Sequence, residues 1–230
     1  MQKLLVANYK MNGNKDFYQK VSKTINKLKL KDTVILCPPF VYMPFLKINN
    51  KNVCLGAQDI CSQENTKSTG QTSAQMLKEF GVSYVIVGHS ERREIGETNE
   101  VVAQKVSIAQ SNNIIPIVCV GEKTKTAKLD ILVEQVKIAL SMAKNDNIIF
   151  AYEPIWAIGS GVQPSVEKIN KALKIIKNTA QDLGFDLKVL YGGSINGNNI
   201  NEVSKSLADG FLMGGVSNKL DEFVSILKGE

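Results

Sequence analysis

Glu153 closes an apolar run over residues 148–154, and a carboxylate at the dry end of a buried strand suits the removal of a proton from carbon. The segment that follows, Pro154-Ile155-Trp156-Ala157-Ile158-Gly159-Ser160-Gly161, is apolar in its middle and punctuated by glycine, which suits a cover that excludes water. It fails as a dinucleotide fingerprint, because Gly159-Ser160-Gly161-Val162-Gln163-Pro164 lacks the third glycine. His89, the one histidine of the chain, ends another apolar run in Val87-Gly88-His89-Ser90-Glu91-Arg92-Arg93, where an imidazole can polarise a carbonyl. Asn8 and Lys10 end the first run; two apart on a strand they share a face, and a lysine there can hold an anionic oxygen. Two glycine loops, Tyr191-Gly192-Gly193-Ser194 and Met213-Gly214-Gly215, let backbone N–H groups approach a phosphate.

Each feature also has a plainer reading: a lysine-paired carboxylate, a structural histidine, a rim lysine, two ordinary turns. Their coincidence at strand ends favours chemistry. A base, an imidazole, a lysine and a phosphate cradle, with no metal or nucleotide motif, fit proton abstraction beside the carbonyl of a small phosphorylated sugar.

Eight apolar runs carry these residues, at 4–10, 34–38, 54–59, 84–90, 114–122, 148–154, 188–194 and 210–216. They are rich in Val, Ile and Leu without strict alternation, the pattern of strands buried on both faces. Amphipathic stretches of helical period lie between them. Phe17, Val21, Ile25 and Leu28 form one stripe. Leu129, Leu132, Val133, Val136, Leu140 and Ala143 form a second, and Ile169, Leu173, Ile176, Ala180 and Leu183 a third. Eight such βα units predict an α/β fold, a (β/α)8 barrel forming one domain over residues 1–230; a doubly wound sheet is the rival. Barrels place chemistry at the C-terminal ends of their strands, and the loops after strands seven and eight commonly hold phosphate.

Composition excludes other classes. Of 230 residues 43% are hydrophobic and 22% charged, which is globular usage rather than disorder or coiled coil. The net charge of +6 could suit a polyanion, but lysines such as Lys20, Lys23, Lys27 and Lys31 read as solvated helix faces, and no nucleic-acid motif accompanies them. Four cysteines, Cys37, Cys54, Cys61 and Cys119, lack metal or disulfide spacing. With no secretory signal and no 18-residue apolar run, a cytoplasmic protein that neither spans nor anchors to a membrane is expected.

Five segments, read together, resemble the triosephosphate isomerase family: Ala7-Asn8-Tyr9-Lys10-Met11-Asn12-Gly13, the His89 segment, Ala151-Tyr152-Glu153-Pro154-Ile155-Trp156-Ala157-Ile158-Gly159, Tyr191-Gly192-Gly193-Ser194 and Gly210-Phe211-Leu212-Met213-Gly214-Gly215. The resemblance implies a homodimer that interconverts dihydroxyacetone phosphate and D-glyceraldehyde 3-phosphate, in glycolysis and gluconeogenesis, without metal or cofactor. It implies Glu153 as the base, His89 as the neutral electrophile, and Lys10 and Asn8 beside the substrate oxygens. Glu91 matches a site carboxylate of less defined task. Gly159, Ser194, Gly214 and Gly215 match phosphate donors, the stretch 154–164 matches a closing lid, and Cys119 matches a packing cysteine.

Three departures stand out. The dimer loop reads Thr66-Lys67-Ser68-Thr69-Gly70-Gln71, keeping Thr69 for the partner's site but replacing a family glutamate by Gln71, so a salt bridge to Arg92 across the interface is in doubt. The stretch after Gly121-Glu122 is short, although Glu122, which in the family helps hold the open lid, is kept. The lid's second hinge reads Val162-Gln163-Pro164, and proline fixes φ there. Two other readings remain to be tested: another phosphate-binding barrel enzyme, and a non-catalytic polyanion-binding protein on the same scaffold.

Overall fold

Eight strands pair in parallel and close on themselves: β1 (Leu4–Asn8), β2 (Thr33–Cys37), β3 (Val53–Ala57), β4 (Val82–Val87), β5 (Ile115–Val120), β6 (Ile149–Tyr152), β7 (Lys188–Gly193) and β8 (Gly210–Met213). The computed structural model describes residues 2–64, 67–159 and 162–229 of the chain. Closure is made by β1 against β8, Leu4 opposite Gly210 and Ala7 opposite Met213. The expected (β/α)8 barrel is therefore the fold found, and the doubly wound sheet is not.

The strands carry two cores because successive side chains face opposite ways. Leu4, Val6, Ile35, Cys37, Ile86, Ile117, Cys119, Ile149, Ala151, Leu190 and Leu212 fill the barrel. The alternate positions, among them Leu5, Ala7, Leu36, Val87, Val118, Phe150 and Val189, meet the surrounding helices. Those helices are α1 (Lys15–Ile25), α2 (Ala74–Glu79), α3 (Ser90–Glu94), α4 (Asn99–Ser111), α5 (Asp130–Leu140), α6 (Val166–Asp182), α7 (Ile200–Val203) and α8 (Leu220–Lys228). Asn14, Ser73, Thr98 and Ser165 cap α1, α2, α4 and α6 by accepting a backbone N–H of the first turn; each such cap is worth about 1 kcal/mol. The third stripe buries Ile169, Leu173, Ile176 and Ala180 on α6, but its last member, Leu183, is the C-cap and is exposed.

The structure corrects three expectations. The connection after β2 is a 3-10 helix, Phe40–Phe45, with Pro44 inside it rather than an α-helix, while β4 is followed by two helices, α3 and α4. Proline there cannot donate to a helical ladder, which keeps that segment short. Most expected strands run one to three residues beyond the observed ladder at the C-terminal side, so Lys10, His89, Glu122, Glu153 and Ser194 stand on the first loop residues instead of on strands. Lys27 and Lys31 are exposed as expected but lie beyond α1, which ends at Ile25.

Candidate active site

The inward-facing layers of the barrel end in a polar layer at its C-terminal mouth. Asn8 continues the inward parity of Leu4 and Val6, and Glu153 that of Ile149 and Ala151; both are buried. Neighbouring inward positions are glycines, and their lack of a Cβ makes the room. A Cβ on Gly192 would come within 3.1 Å of Glu153 Cγ, and one on Gly121 within 1.7 Å of the Glu153 carbonyl oxygen. Directly below, Cys119 is fully buried and its thiol is pushed well above its usual range, first by burial and then by the charge of Glu153. That environment disfavours thiolate and suits packing.

Glu153 and His89 meet at this mouth. Glu153 Oε1 lies 3.2 Å from His89 Nε2, and Oε2 accepts the backbone N–H of Ser90 at 3.2 Å. His89 is the N-cap of α3: its Nδ1 accepts the backbone N–H of Glu91 at 3.2 Å. Nδ1 therefore offers a lone pair, and the ring carries its proton on Nε2, the nitrogen facing the cavity. The Glu91 carboxylate stands 3.6 Å from the same Nδ1, too long to replace the N–H that already occupies it.

Lys10 reaches the mouth by a different route from the one its spacing implied. The strand ends at Asn8, and Lys10 has φ +53°, a left-handed conformation uncommon for a side chain-bearing residue. Asn8 Oδ1 accepts the Lys10 N–H at 3.0 Å, and Gln58 Nε2 donates to the Lys10 carbonyl at 2.8 Å, so side chains hold the turn. Strand alternation is thus not what brings Asn8 and Lys10 together; the turn does, and both line the same cavity. Lys10 Nζ pairs with Glu91 Oε1 at 2.6 Å, which fixes the ammonium at the rim. Glu91 therefore braces both His89, through its backbone, and Lys10, through its side chain.

The cavity beside these groups has a volume of about 410 Å³ and reaches from Asn8, Lys10, His89 and Glu153 to Gly159, Ser194, Gly214 and Gly215. All of the expected site residues except Glu91 line it, and Glu91 lines the adjoining pocket with Lys10 and His89. One expected donor already has a partner, since the Gly159 N–H donates to Ser194 Oγ at 3.2 Å.

The expected lid begins where Glu153 ends. Its residues Ser160 and Gly161 lie outside the described residues, as does Thr66 of the expected dimer loop. At its base the fully buried Glu122 accepts from Tyr152 Oη at 3.0 Å and from Trp156 Nε1 at 2.9 Å, both at Oε1. Lys168 Nζ stands 3.7 Å from that oxygen and 4.6 Å from the centre of the Trp156 ring. Tyr152 and Lys168 were missed by sequence reasoning; Lys168 sits on α6 with no local motif to mark it. Arg92, left without its glutamate by Gln71, is answered inside its own chain by Asp59 at 3.0 Å.

A barrel that aims a carboxylate and an imidazole at one small cavity, with a glycine-lined pocket beyond, is equipped for the work of an intramolecular isomerase that moves a proton between neighbouring carbons. Sequence comparison narrows the class. The family model described as triosephosphate isomerase matches residues 3–230. Curated relatives named triosephosphate isomerase include those of Thermoanaerobacter sp. (strain X514), 38% identical over 97% of this chain and 98% of the relative, and of Buchnera aphidicola subsp. Cinara cedri, 36% over 98% and 97%. That of Neurospora crassa is 37% identical over 96% and 95%. The chain belongs to the triosephosphate isomerase family, and its activity is that of an isomerase acting on a phosphorylated triose.

Proposed function

We propose that Glu153, His89, Lys10 and Asn8 carry out the interconversion of D-glyceraldehyde 3-phosphate and dihydroxyacetone phosphate through an enediolate, as a step of glycolysis and gluconeogenesis. The observation that carries this reading is the contact between Glu153 Oε1 and His89 Nε2 at the cavity wall. A substrate oxygen arriving at Nε2 takes over its N–H and releases the carboxylate toward the adjacent carbon. Glu153 then removes the carbon-bound proton, and the negative charge that develops on oxygen faces the Nε2–H, the Lys10 ammonium and Asn8. His89 lends its proton to one oxygen and recovers it from the other, while Glu153 returns its proton to the second carbon. Charge, atoms and protons balance without an outside oxidant.

Ser194, Gly214, Gly215 and Gly159 offer backbone N–H groups to the phosphate, the last by exchanging its bond to Ser194 Oγ for one to the ligand. The stretch 154–164 closes over this end and excludes water. Glu91 positions Lys10 and His89 rather than meeting substrate.

We further propose a homodimer. Met11, Val41 and Ile95 are 95%, 72% and 73% exposed. They follow Lys10, Phe40 and Glu94 in the chain, and Lys10, Phe40, Gln71 and Glu91 line the open pocket beside the site. A second copy presenting its own Thr69 loop covers those side chains. Unpaired cysteines, with all four free, suit a reduced cytoplasmic setting. Among the described residues no helix is long and apolar enough to cross a membrane.

The test is conversion of D-glyceraldehyde 3-phosphate by the purified chain with EDTA present, alongside Glu153→Gln. Fast conversion by the wild type and collapse in the variant support the assignment; near-normal turnover in Glu153→Gln refutes it. Light scattering on the same sample reads the dimer, and a monomeric mass would refute that part.

A further inference from the structure

The proposed phosphate site takes its donors from two loops that the barrel itself does not hold together. The β7–β8 ladder ends at the pair Gly193–Met213, and Ser194 and Gly214 lie just beyond it. What lies past that point on the β7 side is a block braced by its own asparagines. Asn199 Nδ2 donates to the Ser194 carbonyl at 2.7 Å and Asn199 Oδ1 accepts the Asn196 N–H at 2.9 Å. Asn196 Oδ1 accepts the Asn198 N–H at 2.9 Å. These bonds tie residues 194–199 into one block, so the placement of the block sets that of the Ser194 N–H.

On the β8 side, Gly214 and Gly215 lead through the 3-10 turn Gly215–Asn218 straight into α8, which is anchored by the fully buried Phe223. Glu222, in the first turn of α8, reaches across: its Oε1 accepts the Gly197 N–H at 2.9 Å while Oε2 stands 3.3 Å from Lys219 Nζ. The bond to Gly197 also holds the Glu222 carboxyl below its ordinary range, as expected for a carboxylate that accepts a backbone N–H. Lys219 and Glu222 both border the cavity at its phosphate end.

We infer that Glu222 is a positioning residue for phosphate: it docks the 194–199 block onto α8 and thereby sets the spacing between the Ser194 donor and those of Gly214 and Gly215. This rests on the phosphate reading above. Glu222 touches neither the reacting carbons nor Glu153 and His89, so its loss weakens substrate holding and leaves the chemical step alone.

The experiment compares wild type, Glu222→Ala and Glu222→Gln by KM and kcat for D-glyceraldehyde 3-phosphate and by the inhibition constant of inorganic phosphate. Misplacing one donor to a phosphate dianion costs about tenfold in binding. Glu222→Ala is expected to raise KM and the phosphate constant together by about that factor with kcat within about twofold. Glu222→Gln keeps a carbonyl acceptor for Gly197 and is expected to restore both. Unchanged phosphate inhibition in Glu222→Ala overturns the inference, as does a loss of kcat alone or a glutamine variant as impaired as the alanine one. If Glu222→Ala does not fold, Glu222→Asp, whose shorter arm leaves Gly197 out of reach, carries the same expectations. A wild-type enzyme that converts substrate but ignores inorganic phosphate overturns the phosphate site itself, which separates the two failures.

Discussion

Shortening the proposed base by one methylene is the sharpest test of the geometry at the barrel mouth. In Glu153→Asp the carboxylate keeps its charge but withdraws by about 1.5 Å, one C–C bond. Its oxygens stand 3.2 Å from both His89 Nε2 and the Ser90 N–H, so the withdrawal carries them to about 4.5 Å, beyond hydrogen-bond reach. A displacement of about 1 Å at a reacting group costs about a hundredfold in rate, so kcat is expected to fall by about 10²- to 10³-fold. KM should move little, because the phosphate donors lie at the far end of the cavity from the carboxylate. The space left by one buried methylene lowers stability by about 1 kcal/mol, or about 2–4 °C in Tm for a chain of this length. A coupled assay that reduces dihydroxyacetone phosphate with NADH, run across substrate concentrations, gives both constants, and a thermal melt gives the third number. An aspartate variant keeping more than a tenth of wild-type kcat, or one in which KM rises while kcat stands, would refute the placement of the base.

Tyr9 is fully buried, stacks edge-on with Phe17 and Tyr18 at 5.9 and 5.3 Å, and its hydroxyl meets no hydrogen-bond partner among the described residues. Tyr9→Phe keeps the rings and removes an unsatisfied polar group, so a gain of about 1 kcal/mol is expected by urea denaturation; a loss would reveal a partner for the hydroxyl. Burial raises the thiols of Cys37 and Cys119 above the ordinary 9.0. Because the folded value is the higher one, their contribution is complete below pH 9.0 and declines as pH rises above it, where only the unfolded chain ionises. Urea midpoints should therefore fall between about pH 8 and pH 10, and less steeply in Cys37→Ala. Pro164 is buried just before the Ser165 cap of α6, and its fixed φ would stiffen the second hinge of the proposed lid. Pro164→Ala is expected to change lid exchange and product release more than chemistry, and unchanged relaxation dispersion would count against it.

The fold and the residues at the barrel mouth were readable for a physical reason: in a closed barrel, chemistry sits where apolar runs stop, and those stops are local. That rule alone places Asn8, His89, Glu153, Ser194 and Gly214 at the barrel mouth, where they line one cavity. Their geometry was less readable. The spacing of Lys10 suggested strand alternation, whereas a left-handed turn held by Asn8 and Gln58 sets its direction. The tautomer of His89 depends on a backbone N–H two residues on, which no side-chain pattern encodes. Lys168 and Glu222 lie 46 and 25 residues from Glu122 and Gly197, the groups they meet, and only tertiary packing brings them there. The general expectation of a helix after every strand did not distinguish the second connection, where the chain turns as a 3-10 helix with Pro44 inside it.

Barrel closure also sets an order in time. A ribosome makes Asn8 and Lys10 well before Gly214 and Gly215. A Cβ on Gly214 would lie only 3.2 Å from Lys10 Cε, because β1 and β8 are neighbours in the ring. Glu153 follows β6 and His89 follows β4, but Gly214 and Gly215, which line the cavity with Lys10, come only after β8. A nascent chain halted before Gly210 therefore holds Glu153 and His89 without the β8 side of the cavity they line.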